Sequence, residues 1–549
     1  MRRPFILALA LGLAVGATGC DDEFLTTLPQ DEISDAIFWK TERDFTMAVN
    51  AAYRNVLDTD QFFIDGASDH LYSKKDWTVN HAYAMGHQDA TSGWSAGIWA
   101  RLYEGISRAN EILTRLETTE AELSPDFRTQ IQAQARFLRG YFYHELLWLF
   151  GGVPLYDKVP TIEEAREATR ASREEVINFV LADLSAAAEG LPDRWPAAEY
   201  GRATRGTALA YLARAALYEA SYNKYTEGNA ARANELFRIA ADAAQDVMES
   251  GVYSLHPNYA ELFTYAGEGS PEVIFDYQHV QGVNGWGAFG WFAPHSMGGV
   301  VDLAPTRALV DEYRMTDGLT IEESPLYDPS PPVIENGKVV SLGMYANRDP
   351  RLYATVIFPG AQFNGAVFNP YPNSPTVDRL DRSNFNNTET GFVMKKYVDP
   401  QDEDQRNNSG LNIIKMRYAD VLLMYAEARI ELGEWSDPSV KAALDQLRDR
   451  VGMPEVTLTS QEQAIELVRN ERAVELGTEG LRLADIRRWK IAEEVMPGQP
   501  AGMDIWENGQ IVTVFGTWQR SFSSPRDYLW PIPVGERDLN SNLAQNPGY

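Results

Sequence analysis

The chain is nearly devoid of cysteine: 549 residues hold one, Cys20. A single thiol makes no intramolecular disulfide, no Cys-based zinc site and no redox pair. Positive charge is also scarce, with 49 Lys and Arg against 78 Asp and Glu, a formal net charge of −29. This balance excludes nucleic acid as a partner, because that affinity rests on basic residues releasing counterions from phosphates. It also disfavours loose adsorption to anionic lipid. Long apolar runs are missing: the N-terminal one, Phe5 to Ala17, has about thirteen residues, short of the roughly twenty that span a bilayer. The seven histidines are scattered, and none sits in H-E-x-x-H, so a zinc-protease helix is absent.

What remains is globular. Hydrophobic residues make up 44% and charged residues 23%, ordinary values that rule out wholesale disorder. A chain this long buries a large core without staples, and its length suggests about three domains or fewer large ones. The 13 Trp, 26 Tyr and 23 Phe are too numerous to be functional individually; most belong to core or interface.

The N-terminus reads as an export leader: Arg2 and Arg3, the apolar Phe5–Ala17 stretch, then Ala17-Thr18-Gly19-Cys20. This resembles a bacterial lipobox, which implies removal of residues 1–19 and acylation of Cys20. Several acyl chains, at about 0.8 kcal/mol per buried CH₂, hold a protein stably on a membrane. Asp21, Asp22 and Glu23 follow, an acidic run that resembles the surface-export signal of Bacteroidota lipoproteins. Residues 20–40 look like an extended tether.

From Thr41 the spacing is helical. Phe45, Val49, Ala52 and Val56 recur on one face, and further helices are predicted near 98–116, 125–150, 172–189, 203–223 and 230–250. Alanine, leucine and tyrosine on their inward positions match the style of tetratricopeptide helix pairs in degenerate form. Between about 256 and 412 the period gives way to Gly, Pro, Asn and aromatics. That stretch is too long for a structureless loop and is read as loop-rich, with short strands. Helices return near 415–433, 437–451 and 461–479. The expected organisation is a helical region 41–255, a loop-rich region 256–412 and a C-terminal part 413–549 packed with the first as one globule.

Catalytic motifs fail on context. Gly93-Trp94-Ser95-Ala96-Gly97 matches a nucleophile elbow, but no strand precedes it. Gly285-Trp286-Gly287-Ala288-Phe289-Gly290 matches G-x-G-x-x-G, but Trp291 to Pro294 do not read as the helix that dinucleotide binding requires. Asp399 to Asp404 lacks the Gly and distal Glu of a calcium loop and reads as a solvated acidic turn. No cofactor, metal or enzymatic activity is expected.

Six segments in order resemble the SusD/RagB family of surface nutrient-binding lipoproteins. They are Phe38-Trp39-Lys40-Thr41 through Tyr53; Ala135-Arg136-Phe137-Leu138-Arg139-Gly140-Tyr141 through Gly151-Gly152-Val153-Pro154; and Asn347-Arg348-Asp349-Pro350-Arg351-Leu352. Next come Lys415-Met416-Arg417-Tyr418-Ala419-Asp420 through Ala428; Arg469-Asn470-Glu471-Arg472 through Asp485-Ile486-Arg487-Arg488-Trp489; and Leu529-Trp530-Pro531-Ile532-Pro533 with the terminal Asn546-Pro547-Gly548-Tyr549. Glu427, Arg469, Glu471, Arg472, Glu475, Arg482, Asp485 and Arg487 read as salt-bridge and capping networks.

The resemblance implies a mainly α fold of tetratricopeptide-like helix pairs (SusD-like) with a loop-rich insertion. It implies an outer-membrane protein anchored through Cys20 and facing outward. Such a protein captures oligosaccharide or polysaccharide and passes it to a SusC-type TonB-dependent β-barrel transporter. The alternative is a transporter lid for peptides or another non-glycan ligand, with little autonomous binding. Family segments are scaffold, so the ligand site must be sought elsewhere. Sugar rings stack on exposed aromatic faces beside a few polar groups. Two loops offer these: Trp77 with Asp69, Asn80 and Tyr83, and Trp286 with Phe289 and Trp291. Trp99 and Trp148 sit on helices and are expected in the core.

Overall fold

A computed structural model describes residues 38–381 and 383–549. Cys20, the leader before it and all of the tether up to residue 37 lie outside these residues. Thr41 closes a capping box with Asp44 and starts α1 (Glu42–Tyr53). Helix α2 covers Gly93–Thr118. Pro125 opens α3 (Pro125–Phe150) from the first turn, and Gly151, at φ +79°, ends it in a backbone state that suits glycine. Ser172 and Glu175 box the start of α4 (Arg173–Gly190). Helices α5 (Arg205–Tyr222) and α6 (Ala230–Glu249) follow. Each helix from α1 to α6 packs on the next. At Gly105 a Cβ would lie 2.4 Å from a ring carbon of Phe142, so α2 and α3 meet as closely as they do only across glycine.

The stack does not stop at α6. Helix α7 (Tyr418–Glu431) packs against α6 and carries α8 (Pro438–Val451) and α9 (Gln461–Glu475). The fold is thus a mainly α stack of helix pairs into which a long, loop-rich segment is inserted. A two-stranded ladder closes the neck of that insertion: β2 (Val273–Tyr277) runs antiparallel to β4 (Ile413–Arg417), with Ile413 opposite Tyr277. A helix was expected from about residue 415. Residues 413–417 form strand instead, because β2 offers them a ladder, and the helix starts at Tyr418. Two further pairings are short: β1 (Leu71–Tyr72) pairs with β3 (Ala304–Pro305), and β5 (Ala501–Glu507) forms a hairpin with β6 (Gln510–Phe515). The main core joins α1–α6 to α7–α9. Smaller clusters sit under the insertion, around Phe62, Trp286 and Tyr397 and around Tyr313, Tyr345 and Phe392.

Most of the charges read as salt-bridge networks are paired and buried, but among the described residues Arg469 and Arg487 make no ion pair, contrary to expectation. One cluster sets Arg351, Lys396, Arg417, Arg448 and Arg450 against Asp349, Glu272, Glu471, Glu475 and Glu479, five cations to five carboxylates. A second sets Arg214, Arg472 and Arg488 against Asp420, Glu427 and Asp485, three to three. Balance is what makes such burial tolerable, since a lone charge out of water costs several kcal/mol. Arg482, on α10 (Arg482–Arg488), instead pairs Asp69.

These clusters set the pH response. Burial opposes ionisation of Asp420 and Glu427, but their arginines override it and hold both at about 2. Depressed carboxyls stabilise the fold above their unfolded values near ~4, and that stability is lost as pH falls toward 2. Asp65 and Asp276 act with the opposite sign: burial raises each to about 6. Their contribution is full below ~4 and is lost as pH rises through 6. The urea midpoint is expected to be highest near about pH 4, falling steeply toward pH 2 and more gently between about pH 4 and 6. A midpoint flat from pH 5 to 2 would show that these pairs do not drive acid unfolding.

Candidate functional site

The motifs with a catalytic look are structural. Ser95 lies in the first turns of α2, fully buried, and its Oγ donates to the Ser92 carbonyl at 3.2 Å. A short helix, Ala288–Phe292, does open inside the Gly285–Gly290 segment, contrary to expectation. Its glycines serve packing: a Cβ on Gly285 would meet Asn408 at 2.4 Å, and one on Gly287 would meet Trp291 at 2.5 Å. The acidic turn is not solvated as expected. Asp402 is fully buried and accepts from the Tyr265 hydroxyl at 2.8 Å, from Ser409 and from Gln281. Among the described residues no group of three or more His, Asp or Glu is placed to hold a metal ion.

The second aromatic loop proves to be core. Phe289 is fully buried. Trp286 is 5% exposed and stacks on Phe62 at 5.3 Å, while its Nε1 donates to the Leu411 carbonyl at 2.7 Å. Neither ring has a face to offer a ligand, which corrects the reading of both as binding residues. Trp291 is half-buried, edge-on to Phe63 and Trp286. In the first loop, Asp69 is buried and accepts a two-pronged bond from Arg482 at 2.8 and 2.9 Å. Burial works against that carboxylate, but the Arg482 charge holds it well below the usual range. Asn80 is fully buried, and Tyr83 packs on Trp94 and Trp530. These three are scaffold too. Trp99 is core as expected, whereas Trp148 is half-buried at a cavity.

Trp77 is different. It is 63% exposed, with its ring 5.1 Å from that of Phe385, itself 53% exposed. The loop that presents it is pinned at both of its lysines. Lys75 reaches the Val300 carbonyl at 2.9 Å and pairs with Asp302; Lys74 reaches the Asn384 carbonyl. Thr78 donates to the Lys75 carbonyl at 2.9 Å. Burial lowers the Lys74 ammonium to about 8, so it is a structural tie and not a free surface charge. From the other side, Asn387 donates to the Val377 and Arg379 carbonyls at 2.8 and 2.7 Å and shapes the loop that carries Phe385. A third segment closes the arrangement. Glu389 accepts from the Tyr72 hydroxyl at 2.9 Å and from Thr517, and Trp518 donates its Nε1 to the Lys74 carbonyl at 2.8 Å.

Three distant segments therefore converge on one surface. Trp77 and Phe385 are exposed on it, and Trp518 lies at its edge beside His81. Ser383, Asn384 and Asn386 flank Phe385 in the chain, where the Ser383 hydroxyl donates to Asp381 and the Asn384 side chain accepts from the Asn386 N–H. Rigidly held aromatic faces among short polar side chains suit a ligand with apolar faces and many hydroxyls. Phe385 and Trp518 escaped the sequence reading. An isolated aromatic inside Ser383-Asn384-Phe385-Asn386-Asn387 was the available signal for the first.

Comparison with known proteins agrees with this architecture. Residues 237–549 match the model of the SusD family, and residues 30–217 match a family described as starch-binding, associating with the outer membrane. A SusD-like protein of Formosa agariphila is 26% identical, covering 98% of both chains. One from Bacteroides ovatus is 24% identical, covering 86% of this chain and 80% of its own. A solved SusD-like carbohydrate-binding protein of Bacteroides fragilis superposes with a TM-score of 0.81 at 28% identity, covering 92% of this chain and all of that one. On the matched C-terminal half and the shared helical stack, the chain belongs to the SusD family.

Proposed function

We propose that this protein captures oligosaccharide or polysaccharide at the cell surface and delivers it to a SusC-type TonB-dependent β-barrel transporter, anchored to the outer membrane through acylated Cys20. The observation that carries the reading is the exposed Trp77–Phe385 pair, carried on two loops that Lys74, Lys75 and Asn387 hold in place. Sugar rings present C–H faces that stack on such rings, and the loops' hydrogen bonds hold the faces ready, so little ordering cost falls on binding. The carbohydrate-binding relative from Bacteroides fragilis supports the ligand class. No catalytic role is included.

The test is titration of the intact chain, in a zwitterionic detergent, against a panel of poly- and oligosaccharides. Trp77→Ala is expected to weaken binding of the preferred glycan about 30-fold, the size of a hot-spot loss of ~2 kcal/mol. Phe385→Ala is expected to weaken it about fivefold, by ~1 kcal/mol. Both variants should unfold at the wild-type urea midpoint, since the rings are exposed. Glycan binding that survives both substitutions would remove this surface from the reading; binding of peptides alone would replace the glycan with the lid alternative.

A further inference from the structure

Arg487 stands outside the charge balance of its neighbours. It is 8% exposed, and its Nε and Nη1 are sealed from solvent without a hydrogen-bond partner. Among the described residues its side chain makes no ion pair. Asp527 exerts an attraction on it, but that carboxylate is already engaged by Arg526, Gln88 and the Ser523 N–H at 2.6–2.7 Å. The adjacent Arg488 is fully occupied by Glu427 and Asp485. Burial without a counter-charge pushes the Arg487 guanidinium down to about 10.

Arg487 lines a cavity of about 170 Å³ between the C-terminal end of α5, α10 and residues 525–529. That is roughly tenfold the ~10–15 Å³ that holds one water, so the space suits a ring and not a lone ion. The other cations on its wall have acids of their own: Arg173 pairs Glu219, Arg526 pairs Asp527, and Lys490 faces Glu493 at 3.8 Å. Tyr222, Tyr528 and Trp148 supply aromatic faces, and the exposed Thr226 and Pro547 form a rim open to solvent. Of the three guanidinium nitrogens only Nη2 is not sealed, so a carboxylate meets Arg487 through that one charge-assisted N–H bond.

We propose that this cavity binds a carboxylate-bearing sugar ring, a hexuronate either free or as one residue of a glycan. The carboxylate sits on Arg487, and the ring lies against the tyrosines and Trp148. The site shares no residue with the Trp77 surface, so the two stand or fall separately.

The test is calorimetric titration of the intact chain in zwitterionic detergent with glucuronate, galacturonate, glucose and sulfate. Uronate binding is expected to be saturable and at least roughly tenfold tighter than that of glucose or sulfate. Arg487→Gln should weaken it by about tenfold or more, while loss of one positive charge elsewhere, in Arg54→Gln, leaves it unchanged. Thr226→Trp, which fills the rim and spares Arg487, should abolish it too. Without ligand, Arg487→Gln should raise the urea midpoint, because it removes an uncompensated buried charge. Absence of uronate binding, or binding indifferent to both substitutions, would overturn the proposal. Sulfate binding equal to uronate would overturn the part assigned to the ring, and a lowered midpoint would overturn the claim that Arg487 lacks a counter-charge.

Discussion

Replacement of Arg417 by Ala is expected to lower the unfolding free energy by about 3–5 kcal/mol, the cost of breaking a buried ion pair from one side. Arg417 is 1% exposed and donates to Glu272 at 2.8 Å, to Glu475 at 2.7 Å and to both oxygens of Glu479. Its removal leaves the five-carboxylate cluster with four cations, and the surplus negative charge has no water to turn to. Arg417→Lys should recover only part of the loss, because one ammonium cannot replace a fork that serves three carboxylates. The sharper check is a pair: Arg417→Met with Glu479→Gln restores the balance at four to four. In urea unfolding it should be less destabilised than Arg417→Met alone. Equal losses in the single and double variants would mean that charge balance does not govern this cluster.

Trp286→Ala is the second large effect, also about 3–5 kcal/mol. The substitution opens a void against Phe62, Phe292 and Tyr397, and leaves the Leu411 carbonyl without its indole donor. Below the unfolding transition, however, the variant should bind glycan like the wild type, because the ring touches no exposed surface. Trp77→Ala should show the converse, weak binding at unchanged stability. If Trp286→Ala lost glycan affinity while folded, the assignment of this ring to the core alone would fail.

That contrast marks the reach of the sequence. The start of α1 and both ends of α3 and α4 were readable to within a residue or two, because the 3.6-residue period, the Thr41 and Ser172 caps and Gly151 all act locally. Strand β4 was not readable: Ile413 to Arg417 becomes strand only because Val273 to Tyr277, far back in the chain, lies alongside. The same limit governed the aromatics. Trp77 and Trp286 both sit in polar, glycine-containing or irregular stretches that look exposed. What separates them is Phe62, which stacks on one of them and is remote in sequence from it. Glu427, Glu471, Arg472 and Glu475 were correctly read as ion-pair partners and Arg469 and Arg487 wrongly so, because spacing along one helix says nothing of burial or of which acids face it. Arg417 finds Glu272 across 145 residues. Arg487 carries the same motif chemistry as Arg488, and only the three-dimensional count of acids tells them apart.

The stack's continuity across the insertion also translates into time. The face of α6 that α7 covers is finished at Glu249, but α7 begins at Tyr418, 418 − 249 = 169 residues later. At about 5–20 residues per second of synthesis, that interval is on the order of 10–30 s. During it the N-terminal helices have left the ribosome with one apolar side uncovered, and the cell must keep that side from foreign partners until the chain's own C-terminal half arrives.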